Sequence, residues 1–285
     1  MLTSRRGFLA ALPLPVLFGA DSPKQIRVGC QANAWPLKVG DFPQLLGILA
    51  EMKKLEYAGF ECNVRFLRGQ FSRIAEARKE IEATGVRLIG AHTSMGESTP
   101  ETFPQTVAGV AALGAECIMM SGTGLAPDGK FSAEALRQKA AALEALGRTC
   151  APKGIRLCYH NHNPEFANGN AEMEGLAAGT SPELVSFLMD AGHGYLGGGN
   201  PADFMQRHAD RIFGCHLKTF RASGVPAPVQ MPLGKGDFDF QTLAAAVRKT
   251  GWKGWLITEE GGLPTPGDPA AVGPDRAYIR RIFGV

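Results

Sequence analysis

Between Ile155 and Phe166 the chain reads IRLCYHNHNPEF, an apolar run that breaks into His160, Asn161, His162, Asn163 and Glu165. On an extended backbone side chains alternate between faces, so His160 and His162 project to the same side. Pro164 then turns the chain and offers Glu165 a way back toward them. Two imidazoles and a carboxylate bind a divalent metal or move protons. Either chemistry needs a scaffold that carries buried strands out into polar loops.

The elements around this stretch form such a scaffold. Short apolar runs alternate with longer stretches of helical period, the mark of successive βα units and a parallel sheet. Strands are expected at Ile26–Cys30, Gly59–Val64, Arg87–Ala91, Cys117–Ser121, Arg156–His160, Val185–Asp190, Ile212–Leu217 and Trp255–Glu259. The helices between and after them are expected at Phe42–Tyr57, Ser72–Thr84, Glu101–Leu113, Ser132–Ala151, Glu172–Ala178, Ala202–His208, Phe240–Thr250 and Pro274–Phe283. Eight units in a chain of 285 residues predict a single α/β domain, a (β/α)8 TIM barrel over residues 21–285. An open doubly wound sheet is disfavoured, because no GxGxxG follows the first strand; Gly197-Gly198-Gly199 reads as a flexible loop.

In a barrel the reactive groups gather at the C-terminal ends of the strands. Strand three ends in Ala91-His92-Thr93, strand five in His160-Asn161-His162 and strand six in Asp190-Ala191-Gly192-His193. Strand seven ends in His216-Leu217-Lys218, and strand eight in Thr258-Glu259-Glu260. Five of the six histidines fall at these ends, with His208 the exception. Carboxylates mixed with imidazoles suit one divalent ion such as Mn, Zn, Co or Mg, and no cysteine stands among these groups to favour a thiolate site. Such an ion polarises a carbonyl and acidifies the adjacent C–H, and a nearby Glu or His takes the proton. Nucleophilic hydrolysis has less support, because the chain carries no GxSxG.

Composition bounds the partners. With 30 basic against 27 acidic residues the net charge is only +3, too balanced for a nucleic-acid surface. Residues 1–20 form a separate unit: the twin-arginine pattern Ser4-Arg5-Arg6-Gly7-Phe8-Leu9, an apolar run to Phe18, and Gly19-Ala20. They read as an export signal, which places the mature protein in the periplasm. The run holds Pro13 and Pro15 and is well short of the ~20 residues of a spanning helix, so no stable membrane insertion is expected after cleavage. The six cysteines sit in apolar or helical runs without a CxxC, so they are expected to be free buried thiols despite export. No apolar stripe on the outer helices marks an oligomer interface, which leaves the oligomeric state open.

His92, HNHNPEF at 160–166, DAGH at 190–193, CHLK at 215–218, LGKGDFDF at 233–240 and WLITEE at 255–260, in that order, resemble the xylose isomerase-like barrels over the whole mature chain. That superfamily includes sugar isomerases and epimerases, inosose dehydratases and type IV apurinic endonucleases. The resemblance implies one metal held by a Glu at strand five, Asp190, His216 and Glu259. At strand five, however, His160 stands where the epimerases place a Glu. Glu165 looping back is favoured over His160 as the fourth ligand, because an oxygen-rich site suits hard ions.

The implied catalytic groups are His160 or His162 as base, with Glu165 and Glu259. His92, His193, Lys218 and Arg221 are implied to bind substrate, and Trp35 is a stacking platform for a sugar ring. The expected activity is metal-dependent isomerisation or epimerisation of a keto-sugar or polyol by proton transfer beside a carbonyl. A dehydratase or a lyase that opens 3-keto-glycosides is the alternative, and a non-catalytic periplasmic sugar-binding protein is the alternative from another class. Nuclease activity is disfavoured, since Pro228 and Gln230 occupy the positions of the endonucleases' Asp-x-His pair.

Overall fold

A computed structural model describes residues 25–261 and 267–285, so the expected export signal lies outside the described residues. The chain runs β1 (Arg27–Gln31), α1 (Phe42–Lys54), β2 (Gly59–Asn63), α2 (Ile74–Ala83), β3 (Arg87–Ser94), α3 (Phe103–Ala112) and β4 (Cys117–Ser121). It continues with α4 (Ala133–Cys150), β5 (Arg156–His160), α5 (Ala167–Gly179), β6 (Val185–Asp190), α6 (Ala191–Leu196), α7 (Pro201–His208) and β7 (Ile212–Leu217). A hairpin of β8 (Thr219–Arg221) and β9 (Val229–Met231) leads to α8 (Phe240–Thr250), β10 (Trp255–Thr258) and α9 (Pro269–Phe283). The strands β1 to β7 and β10 close in order into a parallel barrel, with β10 pairing both β7 and β1. This is the single (β/α)8 barrel that the eight apolar runs predict.

Alternation along the strands sorts their side chains into two layers. Outward residues such as Leu157, Tyr159, Phe187 and Met189 pack under the helices in the main core. Inward residues Ile89, Cys117, Met119, Cys158, Leu188, Trp255 and Ile257 fill the barrel itself. Trp255 plugs the lower end, with the Arg27 guanidinium 3.9 Å above its ring. It fits because Gly59 faces it: a Cβ there would stand 2.7 Å from the indole. One step up each strand the inward residues turn polar, and the site begins.

The helix boundaries follow local chemistry. Asp41, Ser132, Asp239 and Asp268 cap α1, α4, α8 and α9 by accepting from backbone N–H groups of the first turn. In α5, Asn168, Gly169 and Asn170 adopt left-handed backbone, so regular helix starts close to the expected Glu172. Two elements lie between the expected ones. The segment after Asp190 forms the short helix α6, and part of the 223–232 loop pairs with 219–221 as the hairpin, Phe220 opposite Gln230.

The Gly197-Gly198-Gly199 run differs from expectation. A Cβ at Gly197 would stand 2.0 Å from the Asn163 carbonyl oxygen, and one at Gly199 2.6 Å from that of Phe166. These glycines permit close packing against the 163–166 turn rather than looseness. All six cysteines are free and buried, as their apolar settings predict. No described helix is long and apolar enough to cross a membrane.

Candidate active site

Each site residue is the next inward position above a residue of the barrel interior. His160 follows Cys158 on β5, Asp190 follows Leu188 on β6, and His216 follows Gly214 on β7. Glu259 follows Ile257 just beyond β10, while Glu61 and His92 follow Gly59 and Gly90 on β2 and β3. The same alternation turns Glu260 outward, where it meets Asp275 of α9.

Ligand atoms of His160, Asp190, His216 and Glu259 all lie within 4.8 Å of one another, and all four residues are buried. Four ligands at ~2.0–2.2 Å from a tetrahedral ion stand roughly 3.3–3.6 Å apart, so a contraction of about an ångström at the widest pair would close them on a divalent cation. Asp190 Oδ2 and His160 Nδ1 are buried without a hydrogen-bond partner, as donors awaiting an ion would be. His216 Nδ1 lies 2.9 Å from Glu259 Oε2 and 3.9 Å from Asp190 Oδ2. The donor set of two nitrogens and two carboxylates fits Zn, Co or Mn.

Neighbours hold these groups in place. Asp190 caps α6, its Oδ1 accepting from the His193 N–H at 2.7 Å, which leaves Oδ2 to the group. The Asn161 amide pins β5 to β6, accepting from the Asp190 N–H at 2.8 Å and donating to the Asp190 carbonyl at 3.1 Å. Asn33 donates to Glu259 Oε1 at 3.3 Å. Lys218 Nζ stands 3.3 Å from Glu259 Oε2 and donates to the Gly261 carbonyl at 3.0 Å.

Charge is concentrated here. Burial works against a charged His216, yet the carboxylates of Glu61 and Glu259 outweigh it and raise the ring to about 10. Burial likewise works against an ionised Glu259, but Lys218 and His216 hold its carboxyl well below the usual range. His160 is driven the other way: burial, then the neighbouring His216, keeps it neutral.

Two further histidines stand over the group. His162 is 5.1 Å from His160 and 5.1 Å from His193, ring centre to ring centre. Its Nδ1 is 3.1 Å from the Gly122 carbonyl, which can only accept, so Nδ1 carries the proton and Nε2 is the basic nitrogen. His193 Nδ1 is 2.7 Å from Asn163 Oδ1 and has the same tautomer, and burial lowers its pKa. Phe220 of the hairpin covers His193, ring centres 5.2 Å apart.

The structure gives three expected site residues other partners. Glu165, expected as the fourth ligand, sits on a one-turn helix at Pro164–Phe166 that turns it toward the outer layer. There it accepts from Tyr159 OH at 2.7 Å and from the His162 N–H at 3.1 Å, and His160 instead stands with Asp190, His216 and Glu259 in the group that could hold an ion. Arg221 is exposed on β8 and donates to the Lys235 carbonyl at 3.1 Å. Trp35 packs on the outer layer, its indole N–H donating to Glu51 of α1 at 2.9 Å.

The family model of the xylose isomerase-like TIM barrel matches residues 49–282. The chain belongs to that family. It is 26% identical to the inosose dehydratase of Bacillus licheniformis over 250 residues, 81% of this chain and 78% of that one. It is 29% identical to the inosose dehydratase of Lacticaseibacillus casei over 153 residues, 49% of this chain and 51% of the relative, so it spans about half of that protein. An L-ribulose 3-epimerase structure superposes with a TM-score of 0.73 at 18% identity, covering 91% of this chain and 95% of the other, a likeness of fold.

Within this xylose isomerase-like barrel, sequence reasoning missed Glu61, Gln31, Asn33 and Gln230. Glu61 had a usable signal: it is the lone acid in the apolar run GFECN and lies two residues above Gly59. Gln230 was marked only by its match to the endonucleases' ligand pair, and the hairpin brings its amide within 2.9 Å of the Glu259 carbonyl.

Proposed function

We propose that this barrel is a metal-dependent lyase that removes water, or another β-leaving group, from a keto-polyol or keto-sugar. The observation that carries this reading is the pair His162 and His193, two imidazoles with fixed tautomers whose basic Nε2 atoms are left for substrate. Epimerisation by the superfamily's route needs a carboxylate at strand five facing one at strand eight. Here the strand-five position is a neutral histidine and Glu165 is engaged elsewhere, which favours elimination over the isomerisation or epimerisation placed first by sequence. The two inosose dehydratase relatives support the same choice.

A divalent ion held by His160, Asp190, His216 and Glu259 would polarise the substrate carbonyl and acidify the C–H beside it. Lys218, buried against Glu259, would bind the carbonyl or a neighbouring hydroxyl oxygen. One of the two imidazoles takes the proton as the C–H bond breaks. The imidazolium so formed gives that proton to the leaving oxygen as the neighbouring C–O bond breaks, so that water departs and the ring is neutral again. Phe220 shields His193 from bulk solvent, which suits a neutral base.

The test is proton NMR in D2O on protein supplied with Mn or Co, using an inosose and a 3-keto-glucoside. Loss of water or aglycone should appear, and H162Q should slow it roughly 10²–10⁴-fold with metal retained. Appearance of an epimer without loss of a leaving group would make the protein an epimerase. Binding without turnover or solvent exchange would make it a sugar-binding protein.

A further inference from the structure

Glu61 lies outside the four-residue group, yet it is the most crowded carboxylate beneath it. Its side chain is fully buried at the top of β2. Its Oε1 is 2.6 Å from His216 Nε2, 2.8 Å from His92 Nε2, and 3.1 Å from Gln31 Nε2, which donates to it. The imidazole of His216 therefore stands between two acids, Glu259 on the Nδ1 side and Glu61 on the Nε2 side.

A metal-bound imidazole offers one nitrogen's lone pair to the ion and must keep its proton on the other. Nδ1 faces Asp190 and Glu259, so the proton belongs on Nε2, against Glu61. The Nε2–H direction is off line with Oε1 although the separation is that of a charge-assisted hydrogen bond, and a small turn of the ring aligns them. A carboxylate behind a ligating histidine fixes the tautomer and raises the basicity of the ligand nitrogen. Gln31 holds that carboxylate in place from β1, where its own Oε1 accepts from the Asn33 N–H at 3.2 Å.

We propose that Glu61 is a positioning residue: it accepts a hydrogen bond from the Nε2–H of His216, keeps the proton on that nitrogen, and so presents Nδ1 to the cation. The proposal rests on the metal-dependent reading of the site. Glu61, His92 and His216 also have ligand atoms close enough to hold a cation themselves. Three donors converge on one Glu61 oxygen, which makes hydrogen bonding the better account of that contact.

Titration with Co(II), followed by the visible absorption of the bound ion, tests this in wild type, E61Q and E61D, with thermal melts to establish folding. Wild type should bind one equivalent, E61Q should bind roughly 10–100-fold more weakly with an altered spectrum, and E61D should recover part of the loss. Long-range 15N–1H NMR on wild type loaded with Zn(II) gives an answer that needs no variant: His216 should carry its proton on Nε2. Equal affinity in wild type and folded E61Q, a proton on Nδ1, or two equivalents of Co(II) per wild-type chain would overturn the role of Glu61. No Co(II) binding by wild type would instead overturn the metal reading, and the role of Glu61 with it.

Discussion

His160 and Glu165 are five residues apart, and the fold gives them opposite tasks. His160 faces inward with a buried, unpartnered Nδ1, whereas both Glu165 oxygens accept hydrogen bonds in the outer layer. H160N should therefore lower metal affinity at least about tenfold, the lower end of losses seen even for outer residues of metal sites. E165Q should keep the metal and lose about 1–3 kcal/mol of stability, because a Gln amide no longer accepts at both oxygens. Metal content after dialysis, together with denaturant unfolding, separates the two; loss of metal in E165Q alone would restore Glu165 as the ligand. Much of the four-residue group was legible from the strand ends, and Glu259 is preferred to Glu260 because it directly follows the apolar strand and matches the position that the resemblance implies. Glu165 was not legible, since the one-turn helix at Pro164–Phe166 decides its direction and no periodicity encodes a single turn.

Elements, more than residues, set the height of the histidines above the group. Asn163 orients His193, and the backbone of residues 163–166 packs on Gly197 and Gly199. G197A would drive a methyl into the Asn163 carbonyl, since its Cβ position is 2.0 Å from that oxygen. The turn must shift, and the expected cost is about 1–3 kcal/mol of stability, as for other overpacked sites. Activity should fall further than stability explains, because the same shift moves Asn163 away from His193; unchanged turnover in a destabilised G197A would show that the turn does not position the base. From sequence, three glycines read as flexibility, because close approach is a property of two segments and only one was in view. Helix α6 was hidden for a related reason: Asp190 both ends a strand and caps the helix that follows, and the sequence shows only the first role.

At the scale of the molecule the barrel was legible because every strand alternates between a helix-packed face and an interior face, and eight such runs alternate with helical stretches. The seam between the last strand and the last helix was not legible, because it joins two carboxyls from distant positions. Glu260, turned outward beyond β10, meets Asp275 of α9, whose Oδ1 accepts from the Leu233 N–H at 2.8 Å. Burial, reinforced by Asp275, pushes the Glu260 carboxyl up to about 9, so the folded protein keeps a proton there at neutral pH. The unfolded chain releases that proton near the ordinary value of 4.5. Between the two values the folded state binds more protons, so stability falls as pH rises through this window and is fully supported only below it. A Gln at position 260 is neutral at every pH and keeps a donor for Asp275. E260Q should therefore melt close to wild type near pH 5 and above it near pH 8.5, with a flatter dependence between. Parallel melting curves for the two proteins across that range would mean that Glu260 ionises in the folded protein as it does in the unfolded chain.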